Sequence, residues 1–298
     1  MDHVKEQIGW QNAFLSGLTG RGVGVAVLDT GLFPHRDLDG RIAGFADMVG
    51  HQTRPYDDCG HGTHICGIIG GSGAVSSGRY GGVAPGCHLI GVKVLDKKGN
   101  GYASDVLNGI SWILEQKDAL NIRIVNISVG SCGRKGMSED SALVKGVDRA
   151  WDAGLIVVVA AGNNGPGRMS ITTPGISRKV ITVGCSDDHR EVVVGGNRMV
   201  DYSGRGPTAA CVCKPDLVAP GCGVVSCANR PEKYTIKSGT SMSTPIVSGA
   251  IALLLEKYPQ MTNRDVKLRL MMAGRDLGLP KNQQGWGALD LGRLLETY

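Results

Sequence analysis

The chain has no apolar run long enough to cross a bilayer. Its longest strongly apolar run is Leu155 to Ala161, far short of the roughly 20 residues a spanning helix needs. The first residues, Met1-Asp2-His3-Val4-Lys5-Glu6-Gln7, show no apolar stretch behind a basic start, so they do not read as a secretory leader. No block of Lys and Arg is present either. The net charge of +5 comes from scattered residues and reads as a solvated surface rather than a nucleic-acid footprint. Paired Cys-x-x-Cys knuckles, which structural zinc prefers, are absent. There are nine cysteines, an odd number, and Cys211 and Cys213 are too close to pair easily with each other. With no leader, the expectation is free thiols in a reducing cytosol, hence a cytoplasmic protein without membrane or nucleic-acid partners.

What is present is an ordinary globular composition, 42% hydrophobic and 20% charged, over a chain long enough to bury a large core. Short apolar strands alternate with amphipathic helices. Val23 to Leu28, His88 to Leu95, Ile122 to Val129, Leu155 to Ala161 and Val180 to Val183 read as strands apolar on both faces, the pattern of a parallel sheet covered by helices. Helices are expected over about His61 to Ile69, Ala103 to Gln116, Ser138 to Ala153, Ser241 to Tyr258 and Thr262 to Ala273. The alternation predicts a three-layer α/β/α sandwich with a mostly parallel central sheet. No linker, repeat or low-complexity block divides the chain, so residues 1–298 read as one domain.

Three segments carry groups for nucleophilic catalysis. A serine hydroxyl is a poor nucleophile at neutral pH. It needs an imidazole to take its proton and a carboxylate to hold that imidazole. Leu28-Asp29-Thr30-Gly31 ends the first strand, and catalytic groups gather at strand carboxyl ends in open α/β sheets. Gly60-His61-Gly62-Thr63-His64 opens a helix. Gly239-Thr240-Ser241-Met242-Ser243-Thr244-Pro245 places Ser241 at the start of another helix, whose N–H groups point toward a developing oxyanion. Each alone has a plainer reading: a turn for Asp29, a metal pair for His61 and His64, a helix cap for Ser241. The three together, in the order Asp, His, Ser, read as a catalytic triad.

Along nearly its whole length the chain resembles the subtilisin-like serine peptidases, the subtilase family, and within it the intracellular AprX-type branch. The resemblance rests on residues 26–31, 57–64, 89–95, 160–166, 203–208 and 214–221, including Ala160-Ala161-Gly162-Asn163 and Lys214-Pro215-Asp216-Leu217-Val218-Ala219-Pro220-Gly221. It implies a serine endopeptidase working through an acyl-enzyme, with Asp29, His61 and Ser241 as triad. It also implies that Asn163 is a side-chain oxyanion donor and that the Ser241 N–H is a second. It further implies that a peptide lies as an added strand between Gly99-Asn100-Gly101 and Ser128-Val129-Gly130. The P1 pocket is then walled by Ser128 to Gly130 and by Ala160 to Asn163, with Thr172 or Thr173 near its base and Thr240 beside the nucleophile. Small uncharged walls imply broad specificity with an apolar P1 preference. Met242 is expected to be exposed to oxidation, and Cys66 to be a packed core thiol.

Secreted relatives carry a tight calcium site in the loop after the His helix. Here that loop, Gly70 to Gly82, contains no Asp, Glu or Asn, and calcium needs such oxygens. No metal ligand is therefore assigned. A weak calcium or sodium site on carbonyls around Ile171 to Ile176 stays open, as does a cation held by Asp37, Asp39, Asp47, Asp57 and Asp58, which otherwise solvate their loop. The expected partners are polypeptide substrates, and the expected state is a monomer. Two rival readings are a subtilase-fold scaffold without catalysis and an α/β-hydrolase esterase. All four catalytic residues are present, and Ser241 does not sit in Gly-x-Ser-x-Gly, so the endopeptidase reading leads.

Overall fold

The computed structural model describes residues 1–130 and 139–296. Six of the strands in its central sheet are β1 (Gly24–Asp29), β2 (Ile42–Asp47), β3 (His88–Lys93), β4 (Ile122–Ile127), β5 (Ile156–Ala160) and β6 (Ile181–Cys185). After the hairpin β7 (Val192–Val194) and β8 (Asn197–Met199), β9 (Leu217–Ala219) joins the same sheet. The order is β2-β3-β1-β4-β5-β6-β9, and every pairing in it is parallel. β1, β5, β6 and β9 are buried along their whole length, as expected of strands covered on both faces.

The helices are α1 (Asp2–Gln7), α2 (Gln11–Leu15), α3 (His61–Gly70), α4 (Ala103–Gln116), α5 (Ala142–Asp152), α6 (Thr240–Lys257), α7 (Asn263–Ala273), α8 (Lys281–Gln284) and α9 (Leu291–Leu295). α3 and α6 pack together on one side of the sheet, and α4 and α5 on the other. The three-layer α/β sandwich expected from the strand–helix alternation is the observed architecture. α6 is buried continuously from Met242 to Leu255, a helix apolar all round at the centre of its layer. α4 and α5 are amphipathic and bury only one face. Thr262 caps α7 through a capping box with Asp265, a stop-and-start signal visible in the sequence.

Apart from the start of α5, strand and helix positions agree with the sequence reading to within about two residues, the usual uncertainty of element ends. Ser138 itself lies outside the described residues, but the expected helix from there begins only at Ala142, because Ser141 caps it by accepting from Val144 N. β2, β9 and the hairpins β7–β8 and β10 (Val224–Cys227) with β11 (Tyr234–Lys237) were not anticipated as strands. They are short or half-exposed, so periodicity has little to work on.

β1 and β4 are neighbours, yet the chain proceeds outward from them in opposite directions. This is a topological switch point, where a crevice opens beyond the strands' carboxyl ends. Asp29 is the last residue of β1, and Ser128 follows β4.

Candidate active site

Asp29 is fully buried at the end of β1. Its Oδ1 accepts from the Thr30 N–H at 2.7 Å and lies 2.7 Å from His61 Nδ1. A carboxylate can only accept, so Nδ1 carries the proton and Nε2 is left as the basic nitrogen. Burial disfavours the charged imidazolium, but Asp29 outweighs it and the His61 pKa is raised above its ordinary value of 6.5, while nearby Lys237 opposes the rise. The ring is 24% exposed, so its free edge faces the cleft.

A buried carboxylate sets the position of His61. Asp57 Oδ1 accepts from Thr30 Oγ1 (2.9 Å), Cys59 N (3.0 Å) and Gly60 N (2.7 Å), and its Oδ2 accepts from Thr63 N (2.9 Å) and Thr63 Oγ1 (2.6 Å). Thr30 Oγ1 in turn accepts from Gly62 N at 2.9 Å. Asp57 therefore ties the end of β1 to the first turn of α3, whose N–H groups need acceptors. Burial opposes its ionisation, yet these donors win and its pKa is lowered. The glycines permit the approach: a Cβ at Gly62 would lie 2.1 Å from the Gly31 carbonyl oxygen, and one at Gly31 2.2 Å from that of Tyr56. Lys93 Nζ, 1% exposed, donates to Thr30 O (2.6 Å), Leu95 O (2.8 Å) and Asp58 Oδ1 (2.8 Å), fastening the ends of β1 and β3.

Ser241 is the second residue of α6. Its hydroxyl donates to the Ser128 carbonyl at 2.8 Å rather than to His61. Four residues on, Pro245 has no N–H for the Ser241 carbonyl. Ser128 Oγ supplies that bond at 3.1 Å, and Asn126 Nδ2 donates to the same Oγ at 2.9 Å. The nucleophile candidate is thus held to the end of β4 from both its side chain and its carbonyl. Asn163 follows β5. Its Oδ1 accepts from Thr240 N (3.0 Å) and Thr240 Oγ1 (3.1 Å), which leaves the amide Nδ2 as its donor. His61, Asn163 and Ser241 line one cavity of about 410 Å³ together with Val193, Gly195, Ile236 and Lys237.

Of the expected substrate residues, Asn100, Gly101, Val129 and Gly130 line a second cavity of about 310 Å³ with Tyr102, Leu143 and Thr173. Ser128 touches the nucleophile directly. Gly162 N donates to Thr240 Oγ1 at 3.2 Å, and a Cβ at Gly162 would lie 2.4 Å from Thr172 Cγ2, so Thr172 packs behind it. Ala161 is fully buried, bonded through its N–H to Val183 O and through its carbonyl to Thr172 N, and lines neither cavity. Thr240 is also buried; its part is to orient Asn163.

His64 is no partner of His61 in a metal pair. It is buried, with Nε2 at 3.1 Å from Val224 O and 3.2 Å from Thr235 O, and burial lowers its pKa to about 3. It is a neutral core histidine. Cys66 is fully buried, and burial pushes its thiol pKa well up. Met242 corrects an expectation: it borders the cavity but is only 1% exposed, because its side chain belongs to the main hydrophobic core.

The aspartates before His61 form no common cluster. Asp47 accepts from Val49 N, Gly50 N, Gln52 N and Tyr56 Oη, Asp58 pairs with Lys93, and Asp57 serves α3. Asp37 takes Val75 N at 3.0 Å and Tyr234 Oη at 2.6 Å, so the acid-free loop after α3 closes on Asp37 by hydrogen bonds. Near Ile171 to Ile176, the Pro174 and Gly175 carbonyls accept from Ser177 N and Thr182 Oγ1.

Thr30 and the β7–β8 wall were not singled out as site residues by sequence reasoning, and Asp57 appeared only among five aspartates that could hold a cation or solvate their loop. Asp57 had a usable signal, since it stands in the matched stretch before His61. The wall had none, because its small loop residues touch the cavity only once folded.

A profile of the Subtilase family matches residues 20–287. The chain is 44% identical to Serine protease AprX of Bacillus subtilis over 289 residues, covering 91% of this chain and 65% of that protein. It is 37% identical to the Thermostable alkaline protease of Halalkalibacterium halodurans, covering 96% of this chain and 71% of that one. The crystal structure of a cold adapted subtilisin-like serine proteinase superposes with a TM-score of 0.74 at 29% identity, over 92% of this chain and 90% of that chain. The chain thus spans about two thirds of the length of its AprX relative. With the profile match, the two relatives and the shared fold in agreement, the chain belongs to the subtilase family.

Proposed function

We propose that the chain is a serine endopeptidase in which Asp29, His61 and Ser241 form the catalytic triad. The observation that supports this most is the convergence of three distant segments on one cleft: the Asp29–His61 pair at 2.7 Å, Ser241 heading α6, and Asn163 oriented by Thr240. In this reading Ser241 turns its hydroxyl from the Ser128 carbonyl to His61 Nε2 and attacks the scissile carbonyl. His61 takes the proton and returns it to the leaving amine, while Asp29 stabilises the imidazolium. Asn163 Nδ2 and the Ser241 N–H receive the oxyanion. A water then repeats the sequence on the acyl-enzyme.

The peptide lies as a strand between Asn100-Gly101 and Ser128 to Gly130, gripped through its main chain, which gives broad specificity. Among the described residues the cavity beside these segments is lined mainly by apolar side chains and by no acid, which suits apolar substrate side chains; together with the small uncharged residues 128–130 and 160–163, this supports an apolar P1 preference. The eight described cysteines are all free thiols, which supports action in a reducing compartment, the cytosol. Among the described residues no helix is long and apolar enough to cross a membrane. The protein acts as a monomer on polypeptides and needs no cofactor; a weak calcium or sodium site stays compatible with this reading.

The test is hydrolysis of a peptide-anilide panel by wild type and Ser241→Ala, with and without chelator. Loss of cleavage in the variant supports the reading, and equal rates would sink it.

A further inference from the structure

Four side chains meet near the N-terminal end of α6, the helix that carries Ser241. Cys185 ends β6, Asp187 and Tyr202 follow in the chain, and Cys222 lies just beyond β9. Cys185 Sγ donates to Asp187 Oδ1 at 3.1 Å, and Cys222 Sγ donates to the Asp187 carbonyl at 3.0 Å. The Tyr202 hydroxyl stands 3.2 Å from one sulfur and 3.1 Å from the other. One ligand atom from each of Cys185, Asp187 and Cys222 lies within 4.8 Å of the others, and all three residues are buried.

Asp187 holds the three groups together. It is 6% exposed, and its Oδ1 accepts from Gly221 N at 2.8 Å and Cys222 N at 3.1 Å as well as from Cys185 Sγ. Among the described residues no Lys, Arg or His forms an ion pair with it, so no side-chain cation competes for the carboxylate. Two sulfurs and one carboxylate suit a soft, tetrahedral d10 cation better than a hard one. Asp187 also borders a surface cavity of about 240 Å³, with Ser186, His189, Arg190 and Leu289 in its lining, which gives an entry path. A second trio, His35, Asp37 and Cys227, has similar spacing, but both His35 ring nitrogens are already bonded, to Asp37 N and Lys233 O. That trio offers no free imidazole.

We propose that Cys185, Cys222 and Asp187 form a binding site for a thiophilic divalent cation of the zinc and cadmium class, with two thiolates and one carboxylate as protein ligands. As the two metal–sulfur bonds form, the two Sγ–H protons pass to solvent, and a bound cation deprotonates a coordinating thiol outright. The fold assembles what the sequence keeps apart, so the site carries none of the paired-cysteine spacing of zinc knuckles. It is also coupled to the cleft. Asp187 holds Gly221 N, and the Gly221 carbonyl accepts from Gly239 N at 3.0 Å, two residues before Ser241.

The probe is cadmium, titrated into the full chain in chelator-free buffer. A Cys211→Ser/Cys213→Ser background removes the exposed cysteine pair. The expected result is one cadmium per chain, the ultraviolet charge-transfer band of two thiolates, competition by zinc, and a melting temperature that rises with cadmium concentration. Adding Cys185→Ser and Cys222→Ser abolishes the band. Asp187→Asn, which keeps both sulfurs, weakens binding by at least the ~10-fold that even outer-shell losses cause. No binding in the background, or cadmium binding unchanged by the serine pair, overturns the proposal. If the serine pair does not fold, unchanged affinity in Asp187→Asn does so.

Discussion

Replacing Asp57 with Asn tests how His61 is held. The carboxylate accepts five hydrogen bonds, three on Oδ1 and two on Oδ2. An asparagine has one acceptor oxygen, so its NH₂ must face one of these groups of donors. The smaller loss puts the nitrogen against Thr63. Thr63 Oγ1 already accepts from Phe33 N at 3.0 Å, and Thr63 N then has no acceptor in a buried site. An orphaned buried N–H costs about 1–3 kcal/mol, and bonds to a charged acceptor are worth about 1.5–3 kcal/mol each before relaxation. Allowing for relaxation, the variant loses ~2–4 kcal/mol, a large share of the roughly 5–15 kcal/mol of a typical domain.

The same loss loosens the first turn of α3 and with it the imidazole. A displacement of about 1 Å costs on the order of 10²-fold in rate, so kcat should fall while KM, set by the distant strand grip, changes little. The sign with pH is also fixed. The Asp57 pKa is lowered in the fold, so its stabilisation is present above the ordinary carboxyl value of about 3.9. It fades as pH falls through that value toward the folded one, and wild type and variant should converge in acid. Urea unfolding at several pH values and anilide kinetics read both effects. A stability loss under ~1 kcal/mol at neutral pH, the low end for one orphaned group, together with an unchanged kcat, would refute the reasoning.

Removing the Asn163 amide with Ala should lower kcat by about 10²–10³ at nearly constant KM; that figure was measured on subtilisin itself, so the experiment asks whether this chain's Asn163 plays the same part. Because Lys237 lowers the His61 pKa, Lys237→Ala should move the acidic limb of kcat/KM to higher pH, and a limb shifted downward or unmoved would contradict the assigned polarity. Gly62→Ala drives a Cβ to 2.1 Å from the Gly31 carbonyl oxygen. It should abolish activity or folding, whereas Gly167→Ala, with nothing within 4 Å, should be silent in thermal melts. Buried Met242 should resist dilute peroxide in the native protein and oxidise after urea unfolding, as peptide mass spectrometry would show; rapid native oxidation would contradict its placement.

What could be read in advance divides along physical lines. The strands Val23 to Leu28 and Leu155 to Ala161 were legible because burial on both faces leaves a continuous apolar run. α4 and α6 were legible because a helix of 14 or 18 residues gives a period, or an apolar stretch, long enough to recognise. Asp29, His61 and Ser241 were singled out because each stands within two residues of glycines in a strand-end or helix-start motif, whereas Asn163 was named only through the resemblance to the subtilase family. Three-residue strands such as β7 and β8 hold no full period, so the wall beside His61 could not be foreseen. Nor could the Ser128 hydroxyl's service to the Ser241 carbonyl, although its cause, Pro245 four residues downstream, was in plain view. The aspartates before His61 make the same point from the other side. Proximity in sequence left two readings open, a shared cation or carboxylates that solvate their loop. The fold sends them to separate partners: Asp47 and Asp57 mainly to backbone N–H groups, Asp58 to Lys93 and Asp37 to Val75 N and Tyr234 Oη, so it is the hydrogen bonds of Asp57 to the first turn of α3 that hold the His61 segment.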